Sequence, residues 1–216
     1  MEADFWHERW NKGETGFHKS RPNPLLSRWW PHLGVAPGAP VWVPLCGKSL
    51  DMAWLRDQGH PVLGIELARS ALESFAAEQD LQLGWREQGE FAISEGEGYC
   101  LYCGDFFGLK AADVASVQGV YDRAALIALP EKMRARYVAH MRSILPADWR
   151  LLLITLDYPQ DERPGPPFSV PDSEVRSLFA GCRIELLDEQ DVLDDHAVFR
   201  QQGMTRLHER VYRISP

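Results

Sequence analysis

A chain of 216 residues is long enough for one α/β domain with a sizeable core. Its 45% hydrophobic and 25% charged content is that of an ordinary globular protein. A net charge of −8 argues against a broad phosphate-binding surface, so no nucleic acid partner is expected, whereas a small cationic ligand would be mildly attracted.

No stretch approaches the ~18 apolar residues of a membrane span, and no membrane partner is expected. The start, MEADFWHERWNKGE, lacks a basic leader ahead of an apolar segment, so a cytoplasmic chain is expected. Cys46, Cys100, Cys103 and Cys182 are too few for a disulfide scaffold and should stay reduced. Cys100 and Cys103 form a C-x-x-C, but it lies in the alternating run YCLYC with no second pair. It reads as strand cysteines, and no metal site is expected.

Residues 1–40, with Trp6, Trp10, Trp29 and Trp30, read as short helices and turns. Asp4 could cap a helix through Trp10, and Pro24 could open another near LLSRWW. A βα alternation then begins. VWVPL is a strand, and SLDMAWLRDQG is a helix stopped by Gly59. PVLGIE is a second strand and ARSALESFAAEQ the helix after it. Residues 83–98 are polar and glycine-rich, an irregular insertion or a hairpin.

YCLYC is the third strand, GDFFGL a turn, VQGVYD the fourth strand and PEKMRARYVAHMRSIL a helix. RLLLITLDY is apolar on both faces, as a central parallel strand should be. RPGPPFSVP is a stiff loop, and SEVRSLFAG is a helix capped by Ser173. CRIELLDEQDV and TRLHERVYRI are alternating strands that could pair antiparallel. The pattern predicts one α/β domain over residues 1–216, with 1–40 as an N-terminal lid. Its sheet is doubly wound, Rossmann-like, mostly parallel and seven-stranded, ending in an antiparallel pair as in class I methyltransferases.

In such sheets ligands bind at the carboxyl ends of the strands, where strand order reverses. The first of those ends is PLCGKS. A P-loop would need a glycine where Trp42 stands, and a dinucleotide fingerprint would need two more glycines beside Gly47. A loop with one glycine suits a ligand without phosphates there, such as S-adenosylmethionine. Glu66, 19 residues after Gly47, could accept hydrogen bonds from both ribose hydroxyls, or could serve as a helix cap. Asp105 could accept from the adenine amino group with Phe106 against the ring, or the two could be turn chemistry only. Arg123 could hold a carboxylate, or could brace the loop through Asp122. Trp10 and Phe17 could cover the pocket and offer π faces to a sulfonium, or could pack the extension onto the sheet; for Trp29 and Trp30 that packing role is preferred.

FWHERWNKGETGFH, VPLCGKSLDMAWLRDQGH, VLGIE, YDRAAL and PGPPFSVP, in that order, make the chain resemble the thiopurine S-methyltransferases, bacterial members above all. The resemblance implies S-adenosyl-L-methionine as the methyl donor, with Trp10, Leu45, Glu66 and Arg123 at its contact positions and Asp105–Phe106 at its adenine-side turn. It implies Phe17 at the substrate pocket, with PGPPF beside it. It also implies Arg200 as the counterpart of a second arginine in the animal enzymes, although VFRQQGMTR departs from the animal pattern. The implied acceptor is a small thiol or selenol, because bacterial members are also associated with selenium and tellurium methylation. A monomer is expected.

The expected chemistry is in-line attack of a thiolate on the sulfonium methyl. An aromatic thiol is already partly ionised near neutral pH, so alignment and water exclusion suffice and no catalytic base is named. The competing readings are a nicotinamide-dependent oxidoreductase and a non-catalytic methyltransferase-like binding protein.

Overall fold

The computed structural model describes residues 3–12, 20–195 and 197–216. Among them, nine strands form one sheet: β1 (Val41–Pro44), β2 (Val62–Glu66), β3 (Trp85–Gln88), β4 (Phe91–Gly96), β5 (Tyr99–Cys103), β6 (Gly119–Arg123), β7 (Arg150–Asp157), β8 (Arg183–Asp191) and β9 (His208–Ser215). Their order is β3-β4-β5-β2-β1-β6-β7-β9-β8. β5, β2, β1, β6 and β7 run parallel; β4 joins β5 and β9 joins β7 antiparallel. The expected seven strands become nine because residues 85–96, left open as an insertion or a hairpin, pair as β3 and β4.

β1 and most of β7 are buried on both faces, which is why VWVP and RLLLITLD carry no polar alternation. One face is covered by α2 (Pro24–Trp29), α3 (Leu50–Asp57) and α4 (Arg69–Glu78), through Leu26, Met52, Leu55, Leu72 and Phe75. The other is covered by α5 (Glu131–Ile144) and α6 (Asp172–Leu178), through Tyr137, Val138, Met141 and Val175. Each such apolar side chain contributes roughly 1.5–3 kcal/mol by leaving water. At Gly64 the turn after β1 and α3 both press on β2: a Cβ there would stand 2.9 Å from Cys46 Sγ and 3.2 Å from Met52 Sδ. Only glycine fits there.

Two local expectations need correction. The α6 helix starts at Asp172 behind Pro171, and no side chain caps it, so Ser173 lies inside the first turn. Residues 20–40 are wall and not lid: Leu25, Leu26, Trp30 and Leu33 belong to the core. Trp30 donates its indole N–H to His60 Nε2 at 3.1 Å, in line with its expected packing role. Pro24 does open α2, with Asn23 capping it. Among the described residues ahead of this wall, α1 (Ala3–Asn11) lies against α4. No helix among the described residues is long and apolar enough to cross a membrane.

Candidate functional site

Strand order reverses beside β1. From β1 the chain proceeds through β2 to β5 on one side, then crosses to β6 and β7 on the other. At this switch point, where sheets of this kind bind ligands in a crevice, the strand ends carry PLCGKS, Glu66, Gly104–Asp105 and Arg123–Ala124.

After β1 the backbone turns abruptly. Leu45 has φ 46° and Gly47 φ 53°, both left-handed. Opposite them, Ala124 follows β6 with φ 64°. Left-handed non-glycine residues cost of order 1 kcal/mol each and persist only where surroundings enforce them; they concentrate at binding sites. Two of them face one another across the first and fourth parallel strands of the chain.

Glu66 supplies part of that enforcement. Its Oε2 accepts the Gly47 amide at 3.0 Å and its Oε1 accepts the Ala68 amide at 2.9 Å. Burial pushes its pKa up, while the amides of Ala68, Gly47 and Leu67, and then His7 of α1, pull it back. These amides leave acceptor capacity on the carboxylate, so Glu66 can brace the PLCGKS turn and still accept from a ribose hydroxyl. The two readings of Glu66 are thus compatible. His7 acts on Glu66 electrostatically and Trp10 is half-buried, which puts α1 beside the crevice. Phe17 lies outside the described residues.

Asp105 is exposed, and its carboxylate accepts the Phe107 amide at 2.9 Å, shaping the turn after β5. Phe106 is a correction. Its ring is 4% exposed, stacked on Trp42 at 5.5 Å and packed on Tyr137 at 4.7 Å, so it belongs to the core and offers no face to an adenine. Only its backbone borders the crevice.

Arg123 forms an ion pair with Asp51 of α3, at 3.6 Å, where the bracing alternative names Asp122. Asp122 is fully buried, accepting the Leu126 amide at 3.0 Å and the Tyr137 hydroxyl at 2.8 Å. Burial lifts its pKa to about 6 against these bonds. Cys46 is buried in the PLCGKS turn, and burial and then Glu66 raise its pKa well above the ordinary thiol value. It stays a thiol and packs.

On the far side, PGPPF is pinned by Phe168 N–H to the Ile127 carbonyl at 2.6 Å and by the Tyr158 hydroxyl to the Pro167 carbonyl at 2.6 Å. Beneath it, buried Arg134 grips Glu174 with one nitrogen on both oxygens, at 2.8 and 2.7 Å, and stacks on Phe168. Arg200 is the second correction: it sits exposed on α7 (Ala197–Gln201) and pairs with Asp194. A side chain solvated on that surface is not held in the crevice. The reading of the sequence missed Asp51, which shares the apolar face of α3 with Leu55 at i, i+4 spacing; a carboxylate on that stripe was the available signal.

The donor set suits S-adenosylmethionine. Glu66 would hold the ribose, the Asp105 turn would face the base, Arg123 would meet the amino-acid carboxylate, and the single-glycine turn provides no phosphate cradle.

Comparison with known proteins agrees. The profile of the family "Thiopurine S-methyltransferase" matches residues 1–216. A thiopurine S-methyltransferase of Pseudomonas fluorescens (strain Pf0-1) is 54% identical over 99% of both chains. One of Azotobacter vinelandii is 53% identical over 99% of both. Among solved structures, the 1,6-didemethyltoxoflavin-N1-methyltransferase of Burkholderia thailandensis, crystallised with S-adenosylhomocysteine, has a TM-score of 0.65 at 16% identity, covering 99% of this chain and 87% of that one; it shares the fold. The chain belongs to the thiopurine S-methyltransferase family and is an S-adenosylmethionine-dependent methyltransferase.

Proposed function

We propose that the protein methylates the sulfur of small aromatic or heterocyclic thiols, thiopurines among them, in the crevice at the switch point. The observation that carries this reading is the pairing of the Glu66-braced, single-glycine turn with full-length similarity to proteins named for that reaction. When bound there, S-adenosylmethionine supplies an electrophilic methyl group on a sulfonium. The chain's own work is positioning. Glu66 and the Asp105 turn orient the nucleoside, Arg123 anchors a carboxylate, and α1 with Trp10 screens the site from water. Holding two reactants in line contributes up to ~7–11 kcal/mol toward a barrier, and an already ionised thiol requires no strong base. On the same reading the protein works as a cytosolic monomer on small molecules and not on nucleic acid, which fits its net charge of −8.

Two measurements test this. Calorimetric titration should give binding of S-adenosylhomocysteine and none of NADH. A methyl-transfer assay across aryl thiols, thiopurines, selenols and tellurite should give turnover with the aromatic thiols. Cofactor binding without turnover of any thiol overturns the acceptor assignment.

A further inference from the structure

Asp51 is a carboxylate only 2% exposed, set among the apolar residues of α3. Burying such a group unpartnered costs several kcal/mol, so its partners define its task. They come from separate parts of the chain. The Asn23 amide donates to Oδ1 at 2.7 Å, the Tyr121 hydroxyl donates to Oδ2 at 2.9 Å, and Arg123 Nη1 stands 3.6 Å from Oδ2. Asn23 caps α2, at the end of the N-terminal segment. Tyr121 and Arg123, two residues apart on β6, point to the same face of the sheet.

The geometry points to Asp51 as a positioning residue that aims Arg123 into the crevice and ties that aim to the N-terminal segment. This rests on the crevice being the S-adenosylmethionine site. The Asn23 and Tyr121 bonds do not need a charge. An asparagine would satisfy both, its oxygen accepting from the Asn23 amide and its NH2 donating to the tyrosine oxygen. Only Arg123 needs the anion. At 3.6 Å the contact is an ion pair and not a hydrogen bond, so it sets where the charge sits without closing a bidentate fork. Since Asp51 also sits in the first turn of α3, two residues past PLCGKS, one buried carboxylate links the turn after β1 to the arginine that ends β6.

The test compares Asp51→Asn with Tyr121→Phe. Asp51→Asn should weaken S-adenosylhomocysteine binding and raise the KM for S-adenosylmethionine about tenfold, with kcat within about twofold, the pattern of lost ground-state binding. Tyr121→Phe, which keeps the charge, should lower the melting temperature yet leave cofactor affinity within about twofold. Adding Asp51→Asn to Arg123→Gln should cost no further affinity and should restore part of the melting temperature lost to the unpaired carboxylate, a readout that survives poor folding of the single variant. The inference is overturned if Asp51→Asn binds S-adenosylhomocysteine like the wild type, or if both single variants weaken it in proportion to lost stability. Failure of the wild type to bind S-adenosylhomocysteine would instead defeat the site assignment itself.

Discussion

The two walls of the crevice are made by opposite means. The wall at β1 and β2 is backbone: a left-handed turn at Leu45 and Gly47 held by amide bonds to one buried carboxylate, Glu66. The wall beyond β7 is side chains. Asp157 takes both Arg206 and Arg210, Arg163 lies over Phe199, and the loop around Pro166 rests on Arg134 and Glu174. A backbone wall accepts one shape of ligand. A wall of side-chain ion pairs can be recontoured one residue at a time. On the proposed reading, the cofactor side is fixed by backbone geometry and the acceptor side by side-chain contacts.

Breaking the side-chain wall should have the largest effect where its anchor is buried. Arg134→Ala strands Glu174 and unseats Phe168, and unfolding in denaturant should show a loss of roughly 3–5 kcal/mol. Were the loss below 1 kcal/mol, the wall would have no buried anchor and the contrast would sharpen. Glu66→Ala attacks the other wall. It leaves the Gly47 and Ala68 amides without an acceptor, and calorimetry should show S-adenosylhomocysteine affinity reduced at least about a hundredfold, near 3 kcal/mol.

Asp122, between the walls, gives a pH signature. Its folded pKa of about 6 lies above the ordinary 3.8, so the folded state binds the proton more tightly. Stability contributed by this group is full below about pH 4 and is lost as pH rises through 6, by up to about 3 kcal/mol. Wild type minus Asp122→Asn stability, from denaturant curves at pH 4 and 7, should fall by about that much; a difference that is flat or rises with pH refutes the assignment. Arg200→Ala marks the smallest effect. An exposed pair contributes about 0–1 kcal/mol, so turnover and melting temperature should barely move. A tenfold loss of turnover would show that Arg200 leaves its surface pairing and joins the acceptor wall.

How far the sequence was legible follows the same division. The parallel strands were readable because burial on both faces strips polar residues from RLLLITLD, and the PLCGKS turn because one glycine in place of three restricts its ligand. Phe106 was misread because a strand-end aromatic looks alike whether it meets a ligand or, as here, Trp42. The bracing alternative for Arg123 names Asp122, its neighbour in sequence, but adjacent strand residues point to opposite faces, and an ion-pair partner lies across the sheet layer on α3. Arg200 was placed by family position, and a position cannot reveal that a five-residue helix leaves the side chain in solvent. The hairpin of β3 and β4 could not be told from an irregular insertion, because WREQ on an edge carries the polar residues of a loop.

The pairing of β1 with β6, Val41 against Gly119, joins strands separated by the whole β2–β5 excursion. Local hairpins can zip early, whereas this seam closes a long stretch of chain and forms slowly. The proposed ligand site straddles that seam. On the proposed reading, a ribosome-bound fragment that stops short of β6 lacks Arg123, and with it the anchor for the donor's carboxylate, so full donor affinity would report that this distant pairing has been completed.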